Sequence, residues 1–457
     1  MEIKILNPVF SLIVDKQYVP MVSPLLSYKK TFYRKVAILD KNRAPTGKYR
    51  MQRQTYPKST VTPAGVFFTG HIPVVTKYLQ GKGIKVAVQS PEWPYKTRSP
   101  QIPLTLRPDQ ERLVRNALLA HRGILKAGTG TGKTVMAGAL ISSIENIRTI
   151  FLCHTISLVS QTIKEFTRFG FDVGYITGTD KKLTGDVIVS TVQSFRSQPQ
   201  ELYDTFDMVI IDEAHRFAKA GGVYFEVGGR LKAPWRFGFT ATPPIEEETS
   251  ILLGGVIGPI IDEFSLQEGI EGGILAVPKL KIVKIPVDYK VKELRRYNDV
   301  YDMGIVKNRA RNRMIVKTAK DLALEDKTSL ILINKIEHGH LLMDMGGLVG
   351  HDMIFIHGET EDLVREEVKS CLINKTALTV IATTIWKEGI NLPTLDCVII
   401  AGGGKSEIGL LQNIGRGLRT AEGKDSVLIV DFLDLSHHYL ISHFGERLSI
   451  YSDNGWL

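Results

Sequence analysis

The sequence predicts an α/β protein: two tandem parallel-sheet domains behind a small, basic, mostly β N-terminal domain. Three observations predict it. Apolar runs alternate with helical patterns from residue 104 onward, a glycine-rich turn follows one of those runs, and the excess positive charge is confined to the first hundred residues. The 457 residues are too many for one core and suggest about three domains at ~150 residues each. A hydrophobic fraction of 43% and a charged fraction of 23% are ordinary for a soluble globular protein. No apolar run approaches the ~18–20 residues of a membrane span. The opening MEIKILNPVFSLIV has no basic n-region with a small-residue cleavage site, so no signal peptide is expected. Cys153, Cys371 and Cys397 each sit in an apolar stretch and read as buried free thiols of a reducing cytoplasm.

Residues 1–100 are the first expected domain. They carry 17 Lys/Arg against 4 Asp/Glu, whereas the other 357 residues carry 41 against 44. Such sign asymmetry points to a polyanion partner for this segment. Short runs (SLIVD, KVAILD, IKVAVQ) alternate with turn residues (NRAPTGK, TPAG, QGKG), the pattern of a small β module. Within it, residues 27–58 hold ten Lys/Arg and one acid, with Tyr28, Phe32, Tyr33, Tyr49 and Tyr56 interleaved. Lys29, Lys30, Arg34 and Lys35 are candidate phosphate contacts, and exposed aromatics would stack on bases at a single-strand junction. The plainer alternative is a solvated basic face with its aromatics in the β core. SPEWPYKTRSPQIP (90–103) reads as a linker.

Residues 101–262 form the second expected domain, with strands at GILKA, TIFLC, DVIVS, FDMVII and RFGFT and helices at TVMAGALISSIEN and SLVSQTIKEFTRF. A connector over 263–325, leading into the last domain, includes the helical pattern VKELRRYNDVYDMGIVKNRARNRMIVKTAKDLAL. A second strand series (TSLILI, MIFIH, LTVIAT, CVIIAG, SVLIVDF) defines the domain 326–457.

AGTGTGKT (127–134) lies between an apolar strand and a helical run. Glycines there let backbone N–H groups turn inward onto phosphate oxygens, and the helix N-terminus adds partial positive charge. Lys133 would reach the β- and γ-phosphates, and Thr134 would offer its hydroxyl to Mg²⁺. MVIIDEAH (208–215) sends its carboxylates out of the carboxyl end of a buried strand, where open α/β sheets place ligands. Asp212 would hold Mg²⁺, directly or through water, and Glu213 would polarise the attacking water as general base. His215 would sense the nucleotide.

With FTATP (239–243) and QNIGRGLR (412–419), these segments resemble helicase motifs I, II, III and VI of superfamily 2, in the same order. The resemblance spans about 104–450. It is nearest to the DNA-directed DEAH-box branch, including the phage recombination and branch-migration helicases of the UvsW type. It implies two RecA-like P-loop domains and hydrolysis of ATP with Mg²⁺ on a nucleic acid. Gly128, Thr129, Gly130, Thr131, Gly132 and Lys133 would cradle the phosphates. LRPDQ (106–110) resembles the adenine-reading motif, which places Gln110 on the base with Arg107 nearby. Gln412 would order the water or γ-phosphate. Arg416 and Arg419 would neutralise transition-state charge when the two domains close, Arg419 foremost. HTISLVSQ (154–161), VSTVQS (189–194), IHG (356–358) and ATTIWKEGINLP (382–393) resemble strand-contact motifs. The implied contacts are Thr155, Gly178, Thr191, Gly358, Thr383 and Thr384, although Thr at strand ends also caps helices and turns.

The expected activity is a 3′–5′ DNA motor that remodels forked or branched DNA in replication, recombination or repair. The expected protein is a monomer in the cytoplasm, a host cytoplasm if the source is a phage. Alternatives are a duplex translocase that does not separate strands, an RNA helicase, and a nucleic-acid-binding protein with a regulatory P-loop.

Overall fold

The computed structural model describes residues 1–39, 45–128, 131–178, 180–217, 222–241, 243–244, 246–273, 276–383, 394–403, 426–453 and 455–457. Thr129, Gly130, Thr384, Gln412, Arg416 and Arg419 lie outside the described residues. The chain divides into two units, Met1–Ala127 with Gly132–Glu263, and Gly128–Thr131 with Phe264–Leu457.

The N-terminal strands are β1 (Glu2–Ile5), β2 (Phe10–Ile13), β3 (Ser27–Leu39), β4 (Pro45–Ser59), β5 (Val66–Phe68) and β6 (Ala87–Gln89). Four of them make a sheet in the order β5-β2-β1-β6, and β3 pairs only with β4 as a separate antiparallel ribbon. The sheet has its own core of Ile3, Ile13, Val22, Leu26, Val61 and Phe67, closed by Val75 and Leu79 of the helix Ile72–Gln80. This segment shares a unit with the parallel sheet that follows. Residues expected to be a free linker pack down as well. Tyr95 Oη donates to Asp207 Oδ1 at 2.7 Å, and Arg98 Nε donates to the Ser142 carbonyl at 2.9 Å.

The first parallel sheet is built from β7 (Arg122–Ala127), β8 (Thr149–Cys153), β9 (Val173–Ile176), β10 (Lys181–Lys182), β11 (Val187–Thr191), β12 (Met208–Ile211), β13 (Trp235–Thr240) and β14 (Ile260–Phe264). Their order is β10-β9-β11-β8-β12-β13-β7-β14. β8, β11, β12 and β13 are buried at every residue, because helices cover both faces, and that is why they read as continuous apolar runs.

The second unit repeats the plan with β15 (Val277–Ile285), β16 (Ser329–Leu332), β17 (Ile354–Ile356), β18 (Thr379–Ala382), β19 (Cys397–Ile400) and β20 (Ser426–Asp434), ordered β15-β20-β19-β16-β18-β17 and paired in parallel. β15 lies in the span expected to hold the connector and the start of the last domain, and it is an edge strand of this sheet. The expected long helical segment is broken into Tyr289–Lys292, Tyr297–Tyr301, a π turn Asp302–Val306 and the helix Arg309–Leu324. Asn308 caps that last helix, its Oδ1 accepting from Arg311 N–H at 3.1 Å, and this restarts the helix there. Asp431 of β20 takes a two-pronged bond from Arg447 (2.7 and 3.0 Å) and one from Tyr451 Oη (2.9 Å), which fastens the helix His438–Asp453. Cys153 and Cys397 are buried free thiols; Cys371 is only half-buried. No helix among the described residues is long and apolar enough to cross a membrane.

Candidate nucleotide and strand sites

Six neighbouring strands of the first sheet, β9-β11-β8-β12-β13-β7, run parallel, so their carboxyl ends share one edge. The candidate residues divide along it. Those for the phosphates and Mg²⁺ follow β7 and β12; those for the strand follow β8, β9 and β11.

The helix Lys133–Ser142 begins six residues beyond Ala127, the end of β7. Thr131 Oγ1 donates to the Gly128 carbonyl at 2.8 Å. Gly132 caps the helix at φ +83°, and a Cβ there would stand 2.4 Å from Gln110 Nε2. Glycine is therefore required both by the left-handed backbone and by the close approach. The same contact brings the adenine-reading candidate to the phosphate loop. Gln110 is buried, its Oε1 accepting from Arg107 N–H at 3.1 Å. The Arg107 guanidinium holds Asp109 at 3.0 and 3.1 Å.

Lys133 Nζ lies 2.8 Å from Glu213 Oε1 and 3.8 Å from Asp212 Oδ1. Glu213 has a left-handed backbone at φ +50°, and its N–H donates to Asp212 Oδ1 at 3.0 Å. A non-glycine residue held there stores on the order of 1–3 kcal/mol, a cost often found at working sites. Burial pushes the Glu213 carboxyl up, but the Lys133 ammonium outweighs it and leaves the group below the usual carboxylate range. Burial raises Asp212, opposed by Lys133 and reinforced by Glu213. Glu213 Oε2 is buried and has no hydrogen-bond partner among the described residues, an acceptor suited to a water proton. His215 Nδ1 shares a hydrogen bond with Thr240 Oγ1 at 3.0 Å. Burial lowers the His215 pKa to about 4, so the ring is neutral near pH 7 and its contact with Glu213 at 3.3 Å is not an ion pair.

Two members of this cluster were not among the sequence candidates. Thr240 is the partner of His215, and His154 interacts electrostatically with Asp212, Glu213 and Lys133. The position of His154 follows from strand order alone, since β8 is the neighbour of β12 and residue 154 leaves its carboxyl end.

Thr155 is an N-cap, its Oγ1 accepting from Leu158 N–H at 3.3 Å. Thr191 is another, accepting from Ser194 N–H at 3.1 Å. Gly178 is exposed, and a Cβ there would meet nothing within 4 Å. In the second sheet Gly358 and Thr383 follow β17 and β18. Gly358 O accepts from Arg365 at 3.0 Å, and Thr383 is buried.

The ribbon β3–β4 carries the N-terminal candidates. Lys29, Arg34 and Lys35 are exposed and Lys30 is half-buried. None of them forms a side-chain ion pair among the described residues. Phe32 and Tyr56 are exposed and meet edge to face at 5.6 Å. Tyr28 is only 2% exposed and belongs to the core, not to a base-stacking surface.

A P-loop helix, an acidic pair on the neighbouring strand and two parallel sheets in tandem define a nucleotide-hydrolysing motor with two RecA-like domains. Residues 103–245 match the family described as type III restriction enzyme, res subunit, and residues 311–421 match the helicase conserved C-terminal domain. The chain belongs to the superfamily 2 helicases and is an ATP-dependent helicase. It is similar to the ATP-dependent DNA helicase UvsW of Enterobacteria phage T4, 24% identical over 75% of this chain and 74% of that one. It is also similar to the DNA 3′–5′ translocase XPB2 of Sulfurisphaera tokodaii, 26% identical over 71% of this chain and 81% of the other. S. cerevisiae Dbp5 bound to RNA and ADP BeF3 shares the fold, with a TM-score of 0.56 at 17% identity over 76% of this chain and 87% of that one.

Proposed function

We propose that this helicase is a DNA motor that remodels forked or branched DNA, moving 3′ to 5′. The observation that carries the DNA-branch reading is the ribbon β3–β4. It is a two-stranded, strongly basic element with an exposed Phe32–Tyr56 pair, beside the nucleotide-binding sheet of its own unit. Cations that form no side-chain ion pair among the described residues can neutralise phosphates, and exposed rings offer stacking surfaces where a duplex opens. The relatives named for DNA activities support DNA over RNA as the track.

In the chemical step, Lys133 exchanges Glu213 for the β- and γ-phosphates of bound ATP. Glu213 is then left as an ionised acceptor beside the attacking water. The water oxygen bonds to the γ-phosphorus, its proton passes to the Glu213 carboxylate, and the breaking P–O bond leaves its electron pair on the β-phosphate oxygen of ADP. Asp212 and Thr134 suit a Mg²⁺ ion. One carboxylate and one hydroxyl are what that ion takes from protein when phosphates and waters fill its octahedron, and no group of three or more His, Cys, Asp or Glu among the described residues competes for it. Bound there, the ion would neutralise charge on the phosphate oxygens. His215 and Thr240 link this centre to the segment that follows β13.

The test is ATP turnover by the full chain with equal nucleotide concentrations of single-stranded DNA, blunt duplex, a fork, a four-way junction and single-stranded RNA. Strongest stimulation by fork or junction is the expected result. Equal stimulation by blunt duplex would favour a translocase that does not separate strands, a reading the similarity to XPB2 keeps in play. Stimulation by RNA alone would overturn the DNA assignment.

A further inference from the structure

The ribbon is tied to the nucleotide site through one helix. Glu247–Val256 begins seven residues beyond Thr240, the partner of His215. Its C-terminal end is clamped. Arg122 donates to the carbonyls of Val256 (2.7 Å) and Ile257 (2.9 Å), and Arg236 donates to Val256 O at 2.7 Å. Arg236 is buried and Arg122 half-buried, and both are satisfied by carbonyls, cations placed where a helix C-terminus carries negative charge. Near the same end Gly255 packs against His71 and Phe68 so closely that a Cβ on it would stand only 2.8 Å from His71 Nε2, and the helix cannot slide there. Along its length Leu253 and Val256 share a buried cluster with Ala214, which directly follows Glu213.

The N-terminal end of the helix holds the ribbon root. Glu247 Oε2 accepts from Lys29 N–H at 3.2 Å, and the Glu248 carboxylate lies beside the buried Tyr28 hydroxyl and raises its pKa, second to burial itself. A rod clamped at one end and joined at the other both to the segment after Thr240 and to the ribbon converts a small shift at the nucleotide into a tilt of the ribbon.

We propose that the Glu247–Val256 helix reports nucleotide state to the basic ribbon, with Glu247 and Glu248 as positioning residues that grip its root at Lys29 and Tyr28. Its bearing on DNA rests on the ribbon being a DNA contact; the mechanical link does not.

The test is hydrogen exchange of the root amides, 27–32 with 55, 56, 58 and 59, in the full chain with Mg²⁺ and either ADP or a non-hydrolysable ATP analogue. The expected result is rates differing about fivefold or more between the two states. That difference disappears in Glu247→Ala/Glu248→Ala and shrinks in Tyr28→Phe, which keeps the buried ring. It survives in Glu248→Gln, whose amide keeps a polar oxygen beside the hydroxyl, and DNA-free ATP turnover is unchanged in all three. Equal exchange in both states of the unaltered chain overturns the proposal, as does a difference that persists in the double alanine variant. Fork binding by Lys30→Ala/Arg34→Ala is scored separately: undiminished affinity and salt dependence overturn the DNA role of the ribbon and leave the exchange result standing.

Discussion

The two halves of one sheet edge are built from opposite materials. After β7 and β12 stand Lys133, Asp212, Glu213 and His215, charged or titratable, half-buried or deeper, and interlocked with one another and with Thr240 at the end of β13 at 2.8–3.8 Å. After β8, β9 and β11 stand Thr155, Gly178 and Thr191, none of which can titrate. Phosphoryl transfer needs fixed charge aimed at one spot, and a buried cation against two carboxylates supplies it before substrate arrives. A motor that moves along a strand must grip and release it at each step. Neutral hydroxyls and backbone N–H groups suit that task, because each bond contributes only about 0.5–1.5 kcal/mol net.

The sharpest way to break the contrast is Glu213→Gln. The amide keeps the shape but cannot take the proton of water, so turnover should fall by roughly 10²–10³-fold with ATP binding retained. Single-turnover hydrolysis and nucleotide binding measure the two separately. Hydrolysis at the normal rate would place the general base elsewhere.

Acid should distinguish the halves next. His215 has an ordinary pKa of 6.5 and a folded value of about 4, mainly through burial. The unfolded chain therefore takes up the proton first. Stability contributed by the neutral ring is complete above 6.5 and is lost as the pH falls from 6.5 toward 4, on the order of 2–3 kcal/mol. Urea titrations at several pH values should show this slope, and His215→Gln should flatten part of it. An equal slope in the variant would place the acid sensitivity in other buried histidines such as His71, also lowered to about 4.

Much of the charged half was legible in the sequence, for a physical reason. Its residues sit at strand ends set by local pattern, and the glycines of 127–134 can serve few other purposes at that spacing. What bears on the ribbon was not legible. Tyr28 looks like one more exposed aromatic in a basic run, yet it is buried where its strand meets the helix Glu247–Val256, more than two hundred residues away. Arg122 and Arg236 lie at the start of apolar strands and look like surface ends, yet both turn in against carbonyls, Arg236 fully buried and Arg122 half-buried. β15 alternates lysine with apolar residues and reads as a connector; only its partner β20 makes it a strand.

Gly132→Ala tests how the charged half is held in place. The new methyl would meet Gln110 Nε2 and force an unfavourable φ, so the phosphate loop and the base-reading side chain should separate. ATP affinity should fall about tenfold, a cost of ~1.4 kcal/mol, with little change in overall helicity. Equilibrium binding of a fluorescent ATP analogue measures it. Undiminished affinity would detach Gln110 from nucleotide recognition.

The smallest effects belong to the neutral half, and they decide what its threonines are for. Thr155 and Thr191 both cap helices, so Thr→Val at either should cost about 1 kcal/mol of stability whether or not DNA touches it. The functions separate in Thr→Ser, which keeps the cap oxygen and its hydrogen. If the hydroxyls also grip the strand, Thr→Ser should bind single-stranded DNA normally, while Thr→Val loses about threefold to tenfold in affinity at either position, the worth of one hydrogen bond. Thr191 is buried and spends its own proton on Ser194 Oγ at 2.8 Å, so a phosphate would have to displace that bond. Thr155, with Ser157 at 3.1 Å on an exposed turn, has no such competitor in the core. The loss should accordingly be larger at Thr155. Equal and negligible losses at both would leave these residues as helix caps and move the grip on DNA to backbone N–H groups and the ribbon.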